Sequence, residues 1–153
     1  RPIVKIPFIA VSTAMIIGMG MYYLHMYFVH MNAEYSQYWQ YGYKQAVEYA
    51  EAHTDEYTKI VVSTDLEQPY MFFLFFSKHD PQKYLAQGGT VSGSFDEKFN
   101  RFNKYEFRKI DWPNEVKNGT ILYIGTPGEI IHGTKANITY LDGTPAIHIV
   151  DRE

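Results

Sequence analysis

The sequence predicts an α/β fold: an N-terminal transmembrane helix, then a small α/β domain with a mixed sheet of about five strands and a C-terminal hairpin. Three observations predict it. Residues 6–29 contain no Asp, Glu, Lys or Arg. Helical and β-branched runs follow one another after this segment, and Asp142-Gly143 separates two apolar runs near the end. The predicted boundary divides the chain into 1–31, the helix with its basic flank, and 32–153, the α/β domain.

The charged side chains are unevenly distributed over the 153 residues. All 17 acidic residues lie at or after Glu34, and residues 32–153 contain 12 Lys and Arg, so this part has a formal net charge of −5 (12 − 17). Nucleic-acid-binding domains usually present a basic face, so we predict no nucleic-acid partner. Because the chain lacks cysteine, it has no disulfide framework, no cysteine-bound metal centre and no thiol nucleophile.

The uncharged segment is long enough to cross a membrane. Its 24 residues cover roughly 36 Å as a helix, and the hydrocarbon core of a bilayer is about 30 Å thick. Arg1 and Lys5 precede the segment and Glu34 follows it, so the positive-inside rule predicts a cytoplasmic N-terminus and an extracytoplasmic domain, integral to the cell membrane. A buried core helix and a cleaved signal peptide fit less well, and a signal anchor is an open alternative.

Two features beside this segment predict its partners. The rings from Tyr35 to Tyr43, around Trp39, are typical of a belt at headgroup level, or of packing in the domain core on another face. Ala14 and Gly18 are four residues apart, a spacing that favours close approach of a second membrane helix. We therefore expect membrane lipid and upstream transmembrane helices of the same protein as partners.

Helical signals occur at three places in the domain. Apolar residues at helical spacing predict a helix over Ser36–His53. Pro69 opens the apolar segment Tyr70–Phe76, which is either a helix or a strand, and proline at a first helical position favours the helix. Asp80 precedes a proline and predicts the cap of a short helix that ends near Gln87.

Short β-branched or alternating runs predict the strands. They lie at Lys59–Thr64, Lys104–Ile110, Thr120–Ile124, Ile138–Leu141 and Ala146–Val150. The alternation of the second run predicts a half-buried or edge strand, and the last two flank an Asp-Gly pair that predicts an antiparallel hairpin. Between these runs we predict a loop over 88–103 and one helical turn over Glu129–His132.

Polar side chains follow the first predicted strand. Asp65, Glu67, Gln68 and Tyr70 come just after its carboxyl end, where ligands gather in open α/β sheets. They are candidate ligand-binding residues that can hydrogen-bond a sugar or a headgroup. The alternative is a plain loop with a helix cap, since acidic side chains stabilise helix N-termini.

Other motifs carry little chemistry. A P-loop, a dinucleotide-binding glycine motif, a metalloprotease His-Glu pair and a nucleophile elbow are all absent. A plain turn is favoured over an anion site at residues 125–128. The six His residues show no metal-ligand spacing, and His25 and His30 are expected to diverge, so no metal or cofactor is predicted. Asn118 and Asn137 match the N-glycosylation pattern, which counts only in a host that glycosylates such sites.

Four stretches taken together resemble a known group of enzymes. They are WQYGYKQAVEYAE (39–51), KIVVSTDLEQPYMFFLFFSKHDPQKYL (59–85), KYEFRKIDW (104–112) and ILYIGTPGEI (121–130). In this order after a final hydrophobic helix, they resemble the C-terminal end of bacterial polytopic glycosyltransferases of family 39. These are phospholipid-carrier-dependent relatives of the protein mannosyltransferases, with the C-type membrane fold. The resemblance extends from the hydrophobic helix to about Ile149.

The resemblance implies an enzyme with many membrane helices that transfers a sugar from a polyprenyl-phosphate donor to a protein, lipid or glycan acceptor on the outer face. It also implies a catalytic carboxylate in an early external loop, which this chain does not contain, so no catalytic residue is assigned here. The soluble domain then caps the membrane part from outside. Because the first residue is Arg1, we expect the chain to be a fragment of such a protein.

A different class of function is compatible with the same residues. The alternative is a non-catalytic, membrane-anchored extracytoplasmic binding or sensor domain with one span. A periplasmic solute-binding domain fits less well, because residues 32–153 show no obvious second lobe.

Overall fold

The structure, a computed structural model, describes residues 2–93, 97–132 and 134–151. It has the predicted α/β architecture, in which an N-terminal apolar helix precedes a mixed sheet with helices. Within these ranges the sheet has six strands, slightly more than the expected number of about five, and its order is β2-β3-β1-β4-β6-β5.

The N-terminal helix extends beyond the uncharged segment. Helix α1 (Pro2–His25) continues through a π-helical turn (Met26–His30) into the short helix α2 (Met31–Glu34). Residues 5–34 form a helix that is long and apolar enough, by length and composition, to cross a membrane, and its most apolar window is not buried against the domain. The predicted segment 6–29 lies within it.

The strands form one mixed sheet. They are β1 (Lys59–Val62), β2 (Phe99–Phe102), β3 (Tyr105–Arg108), β4 (Ile121–Gly125), β5 (Ala136–Thr139) and β6 (Pro145–Val150). Strand β1 pairs in parallel with β3 on one side and β4 on the other. The β2–β3, β4–β6 and β5–β6 pairs are antiparallel, so the predicted C-terminal hairpin is confirmed.

In the described part of the chain, three α-helices accompany the sheet: α3 (Tyr43–Ala52), α4 (Pro69–Phe76) and α5 (Pro81–Ala86). Pro69 begins α4 as expected, so the helix was the correct alternative for this apolar segment. Asp80 caps α5 as predicted, because its Oδ1 accepts a hydrogen bond from the Gln82 amide at 2.8 Å. Short 3₁₀ turns lie at Ser36–Trp39, Thr54–Glu56 and Trp112–Asn114.

Hydrophobic side chains cover both faces of the sheet. Ile60 and Val62 of β1 belong to a large core with α3 and α4, whereas Val61 points into a smaller core that includes Trp112 and Tyr123. A parallel strand buried on both faces is an uninterrupted apolar run, which is why the β1 sequence could be recognised.

The predicted helix over Ser36–His53 is wrong in its first half. The chain forms a 3₁₀ turn, then takes positive φ angles at Gln40 (51°) and Gly42 (102°) before α3 begins. A Cβ atom at Gly42 would lie 3.2 Å from Ile138 Cγ2. The break therefore brings the backbone close to β5, and glycine permits both the φ angle and the approach.

Two other local predictions are also corrected. The expected loop over 88–103 contains β2, whose Phe102 is buried and whose fully buried Asn100 accepts a hydrogen bond from the Val91 amide at 2.8 Å. Burial of these two residues, rather than a repeating apolar pattern, defines the strand. The helical turn expected at 129–132 instead lies at Thr126–Ile130, where the Ile130 amide bonds the Thr126 carbonyl at 3.1 Å.

The chain leaves neighbouring strands in opposite directions. After β1 it passes through α4 and α5 to β2 and β3 on one side, and after β4 it passes to β5 and β6 on the other. Because β1 and β4 are parallel neighbours, their carboxyl ends form a topological switch point. This is where crevices form in open α/β sheets.

Candidate ligand-binding cleft at the edge of the sheet

A cleft of about 410 Å³ lies at this switch point. We call it the edge cleft. Its lining comes from the loops after β1 and β4, the start of β6 and the segment that joins the N-terminal helix to α3. The lining residues are Gln37, Tyr38, Gln40, Tyr41, Tyr43, Asp65, Leu66, Glu67, Thr126, Pro127, Tyr140, Pro145, Ala146 and Ile147. The volume falls in the range of small-molecule sites.

The structure brings together half of the predicted ligand-binding residues. Asp65 and Glu67 line the edge cleft, whereas Gln68 and Tyr70 do not. Gln68 precedes α4 with a φ of 51° and makes no side-chain cap. Tyr70 is 8 % exposed and packs edge-on to Phe107 in the larger core. A binding role for Asp65 and Glu67 stays a prediction, and the geometry gives no comparable position to the other two.

Tyr43 holds the loop that carries the two acidic residues. Its hydroxyl donates a hydrogen bond of 2.5 Å to the Leu66 carbonyl and lies 3.4 Å from the Glu67 carbonyl. Burial, followed by the negative charge of Glu67, raises the pKa of this hydroxyl well above its ordinary value. The hydroxyl therefore stays protonated and acts as a donor, which fixes the position of the loop.

Glu129 joins the strand ends beneath the cleft. Its Oε1 accepts hydrogen bonds from the buried Ser63 hydroxyl at 2.6 Å and from the Ile110 amide at 3.3 Å. Its Oε2 accepts from the Thr126 amide at 3.2 Å and the Thr126 hydroxyl at 3.1 Å. Ser63 in turn accepts from the Asp65 amide at 3.0 Å. One carboxylate thus connects the segments that follow β1, β3 and β4.

In the turn after β4, the Glu129 carboxylate accepts the hydrogen bonds that a bound anion would otherwise accept. The Thr126 amide, which follows the strand and would be the first donor for a bound anion, already bonds Glu129. The Thr126 amide in the turn at 125–128 is therefore already hydrogen-bonded within the chain. This contact agrees with the prediction of a plain turn rather than an anion site.

The lining of the edge cleft is electrostatically one-sided. Asp65 and Glu67 supply two carboxylates, and none of the described lining residues is Lys, Arg or His. A cation contact lies outside the lining, where Lys109 Nζ is 3.8 Å from Asp65 Oδ2 with 76 % of the Lys109 side chain exposed. An exposed pair at this distance contributes little energy. The described lining therefore has a negative character, which the exposed Lys109 only partly compensates.

The sequence reasoning missed most of the aromatic lining. Tyr38, Tyr41 and Tyr140 reach the cleft from two distant parts of the chain. Tyr38 is 67 % exposed, which makes its ring available to a ligand. The cluster of aromatic residues around Trp39 in the sequence could have indicated these rings, but the sequence does not show which of them face a cleft. Tyr140 carried no separate signal, because only the fold places the β5–β6 hairpin beside β4, the neighbour of β1.

The two histidines at the end of the apolar helix do not diverge as expected. The π turn places His25 and His30 with ring centroids 5.2 Å apart, because residues five apart share a face when the Met31 amide bonds the Met26 carbonyl. His30 Nδ1 also lies 2.7 Å from Glu34 Oε1. Within the described ranges no group of three or more His, Cys, Asp or Glu residues has a geometry suited to a metal ion.

Comparisons with protein-family models, curated proteins and solved structures found no match. The resemblance to family 39 glycosyltransferases therefore depends on the four sequence stretches alone and stays a prediction.

Proposed function

We propose that the chain is the C-terminal part of an integral-membrane glycosyltransferase, which moves a sugar from a polyprenyl-phosphate donor to an acceptor on the outer face. In this proposal α1 is the last transmembrane helix, and the α/β domain caps the membrane part without holding the catalytic carboxylate. The whole enzyme supplies transfer, and the edge cleft supports it by holding a ligand.

The observation that carries the proposal is the position of the edge cleft relative to the apolar helix. The segment 37–43 that lines the cleft begins only three residues after α2 ends at Glu34. A chain spans at most about 3.5 Å per residue, so Gln37 lies within roughly 11 Å of the end of the helix. A ligand in the cleft would therefore be held close to the point where the chain leaves the bilayer, where a lipid-linked sugar is available.

The flanking charges support the proposed orientation. Arg1 and Lys5 precede the uncharged segment, and the segment between it and Lys44 contains one acidic residue and no Lys or Arg. The positive-inside rule then places the N-terminus in the cytoplasm and the edge cleft on the outer side.

A transfer assay tests this proposal. The open reading frame that contains the chain is expressed in membranes and incubated with radiolabelled polyprenyl-phosphate sugar and an acceptor preparation from the same cells. We expect transfer by the complete frame and none by residues 1–153 alone. Transfer by residues 1–153 would show that the catalytic group lies in this chain, and no transfer by a frame with several spans would contradict the proposal.

The second candidate, a non-catalytic anchored binding or sensor domain, is favoured by one observation. The loops that line the edge cleft are held by hydrogen bonds within the described domain, through Tyr43 and Glu129, as a binding domain without catalysis also requires. The two candidates differ in the reading frame before Arg1. Several hydrophobic spans with an acidic external loop support the enzyme, and a start codon immediately before Arg1 supports the anchored domain.

A further inference from the structure

The charge of the edge cleft restricts what it can hold. Phosphate groups in proteins are bound by Arg, Lys and free backbone amides at helix N-termini. The described lining contains two carboxylates and no basic side chain. The Thr126 amide is already bonded to Glu129, and Pro69 at the start of α4 has no N–H to offer. Within the described lining, a phosphate would therefore meet two carboxylates and no cationic donor.

The same lining suits an uncharged polyol. Carboxylates accept hydrogen bonds only, so Asp65 and Glu67 pair with hydroxyl groups that donate, and such charge-assisted bonds are stronger than neutral ones. Gln37 and Gln40 offer amide groups that both donate and accept. A sugar ring presents hydroxyl groups that serve both purposes on its rim.

The aromatic rings suit the remaining surface of a sugar. The C–H face of a pyranose is apolar and gains free energy when it covers an aromatic ring. Tyr38 is an exposed residue of the lining, and Tyr41 and Tyr140 are half-buried residues of the same lining. Rings combined with hydrogen-bond acceptors distinguish a sugar from a purely apolar lipid chain and from a small ion.

The walls of the cleft are fixed before a ligand arrives. Tyr43 holds the carbonyls of the acidic loop, and Glu129 ties the ends of β1 and β4 together through Ser63 and Thr126. A site that is already ordered loses less entropy on binding.

We propose that the edge cleft binds an uncharged sugar unit and rejects its phosphorylated form. The sugar belongs to the acceptor glycan and not to the phosphate end of the donor, an assignment that rests on the proposed function. The selectivity comes from Asp65 and Glu67, and the affinity from Tyr38 and its neighbouring rings.

Ligand binding by the complete chain in detergent micelles tests this inference. The probes are the methyl glycosides of glucose, mannose, galactose and N-acetylglucosamine, each compared with the corresponding sugar 1-phosphate by saturation-transfer NMR and titration calorimetry. Two like-charge contacts at about 1 kcal/mol each in water predict at least about ten-fold weaker binding of the 1-phosphate. Equal or tighter binding of the 1-phosphate, or no binding of any neutral glycoside, overturns the inference.

Three variants separate the roles of the lining residues. Tyr38→Ala should weaken every bound glycoside about five-fold or more, since the ring is largely exposed and its loss leaves the fold intact. The double substitution Asp65→Asn and Glu67→Gln should remove most of the preference for the neutral glycoside over the corresponding sugar 1-phosphate. Asp55→Asn, an exposed acidic residue outside the cleft, is the matched control and should change neither quantity. If the preference survives the loss of both carboxylates, the electrostatic explanation is wrong.

The outcomes of the two proposals are distinguishable. Sugar transfer by the complete reading frame with no neutral sugar in the cleft overturns this inference and leaves the proposed function standing. Selective sugar binding without transfer supports the cleft and contradicts the glycosyltransferase.

Discussion

Replacing Glu129 by alanine should loosen the edge of the sheet beneath the cleft. The substitution removes the acceptor of four hydrogen bonds, which come from Ser63, Ile110 and both donors of Thr126. Ser63 is fully buried, so its hydroxyl loses its acceptor in a place that water reaches poorly. Glu129 itself is only half-buried, and water can replace part of the remaining bonds.

The magnitude follows from these contacts. At about 1 kcal/mol for each hydrogen bond, Glu129→Ala should lower the free energy of unfolding by roughly 3–4 kcal/mol. Glu129→Gln should cost about 1–2 kcal/mol, because one oxygen still serves Ser63 and Ile110 while the new amide group faces the Thr126 amide. For a domain of this size the alanine variant should melt roughly 10–15 °C lower.

Tryptophan fluorescence measures this effect in the complete chain in detergent. Trp112 is buried in the smaller core and Trp39 is 60 % exposed, so the change in emission on heating reports unfolding around Trp112. Asp55→Asn is the control, since this acidic residue is exposed. If the free energy of unfolding of Glu129→Ala lies within about 0.5 kcal/mol of that of the control, the carboxylate does not hold the strand ends together.

Three further predictions test other parts of the fold. Gly42→Ala should cost about 1–3 kcal/mol in thermal unfolding, because its φ is 102° and the new Cβ would lie 3.2 Å from Ile138; an unchanged melting temperature would contradict this. Burial raises the pKa of Glu115, but the bonds from Arg108 outweigh it and hold the pKa below its ordinary value of 4.5. This stabilisation is therefore present at neutral pH and is lost as the pH falls through the lowered folded-state pKa, and Arg108→Met should reduce the acid sensitivity of the unfolding curve below pH 4.5. Asn103→Ala should lower the free energy of unfolding, measured by chemical denaturation, by about 1 kcal/mol, since Asn103 has a φ of 48° in the β2–β3 turn. Asn103→Gly should lower it less, because glycine tolerates this φ.

Periodic and local signals made much of the fold predictable. Residues Ile60–Val62 of β1 form an uninterrupted apolar run because both faces of the strand are covered there, and the Asp-Gly pair determines the final hairpin through its own turn geometry. Pro69 and Asp80 each begin a helix through short-range chemistry that needs no tertiary context. Such features can be recognised one segment at a time.

The errors occurred where distant contacts decide the local structure. The break before α3 exists because Gly42 approaches Ile138, nearly a hundred residues later in the chain. Strand β2 depends on burial of Phe102 in a ring cluster with Tyr105 and Phe107, and its own sequence has a mixed composition. Neither contact leaves a periodic signal.

The candidate site was only half predictable for the same reason. Asp65 and Glu67 follow a recognisable strand, and the general rule for open sheets gives their position. Gln68 and Tyr70 follow the same strand, but the start of α4 turns them away from the cleft. Tyr140 lines the cleft, and Glu129 bonds the segments that follow β1 and β4, only because β4 pairs with β1 and β6 pairs with β4.

The π turn at Met26–His30 gives one stretch of the apolar helix a wider repeat than the α-helix on either side of it. In an ideal α-helix, residues five apart point about 140° away from each other around the helix axis. The bond from the Met31 amide to the Met26 carbonyl instead accompanies a pair of His25 and His30 rings with centroids 5.2 Å apart, and His30 Nδ1 lies 2.7 Å from Glu34 Oε1. One wider turn thus gathers three polar side chains that an unbroken α-helix would separate, and gives the end of the apolar helix a continuous hydrogen-bonding flank.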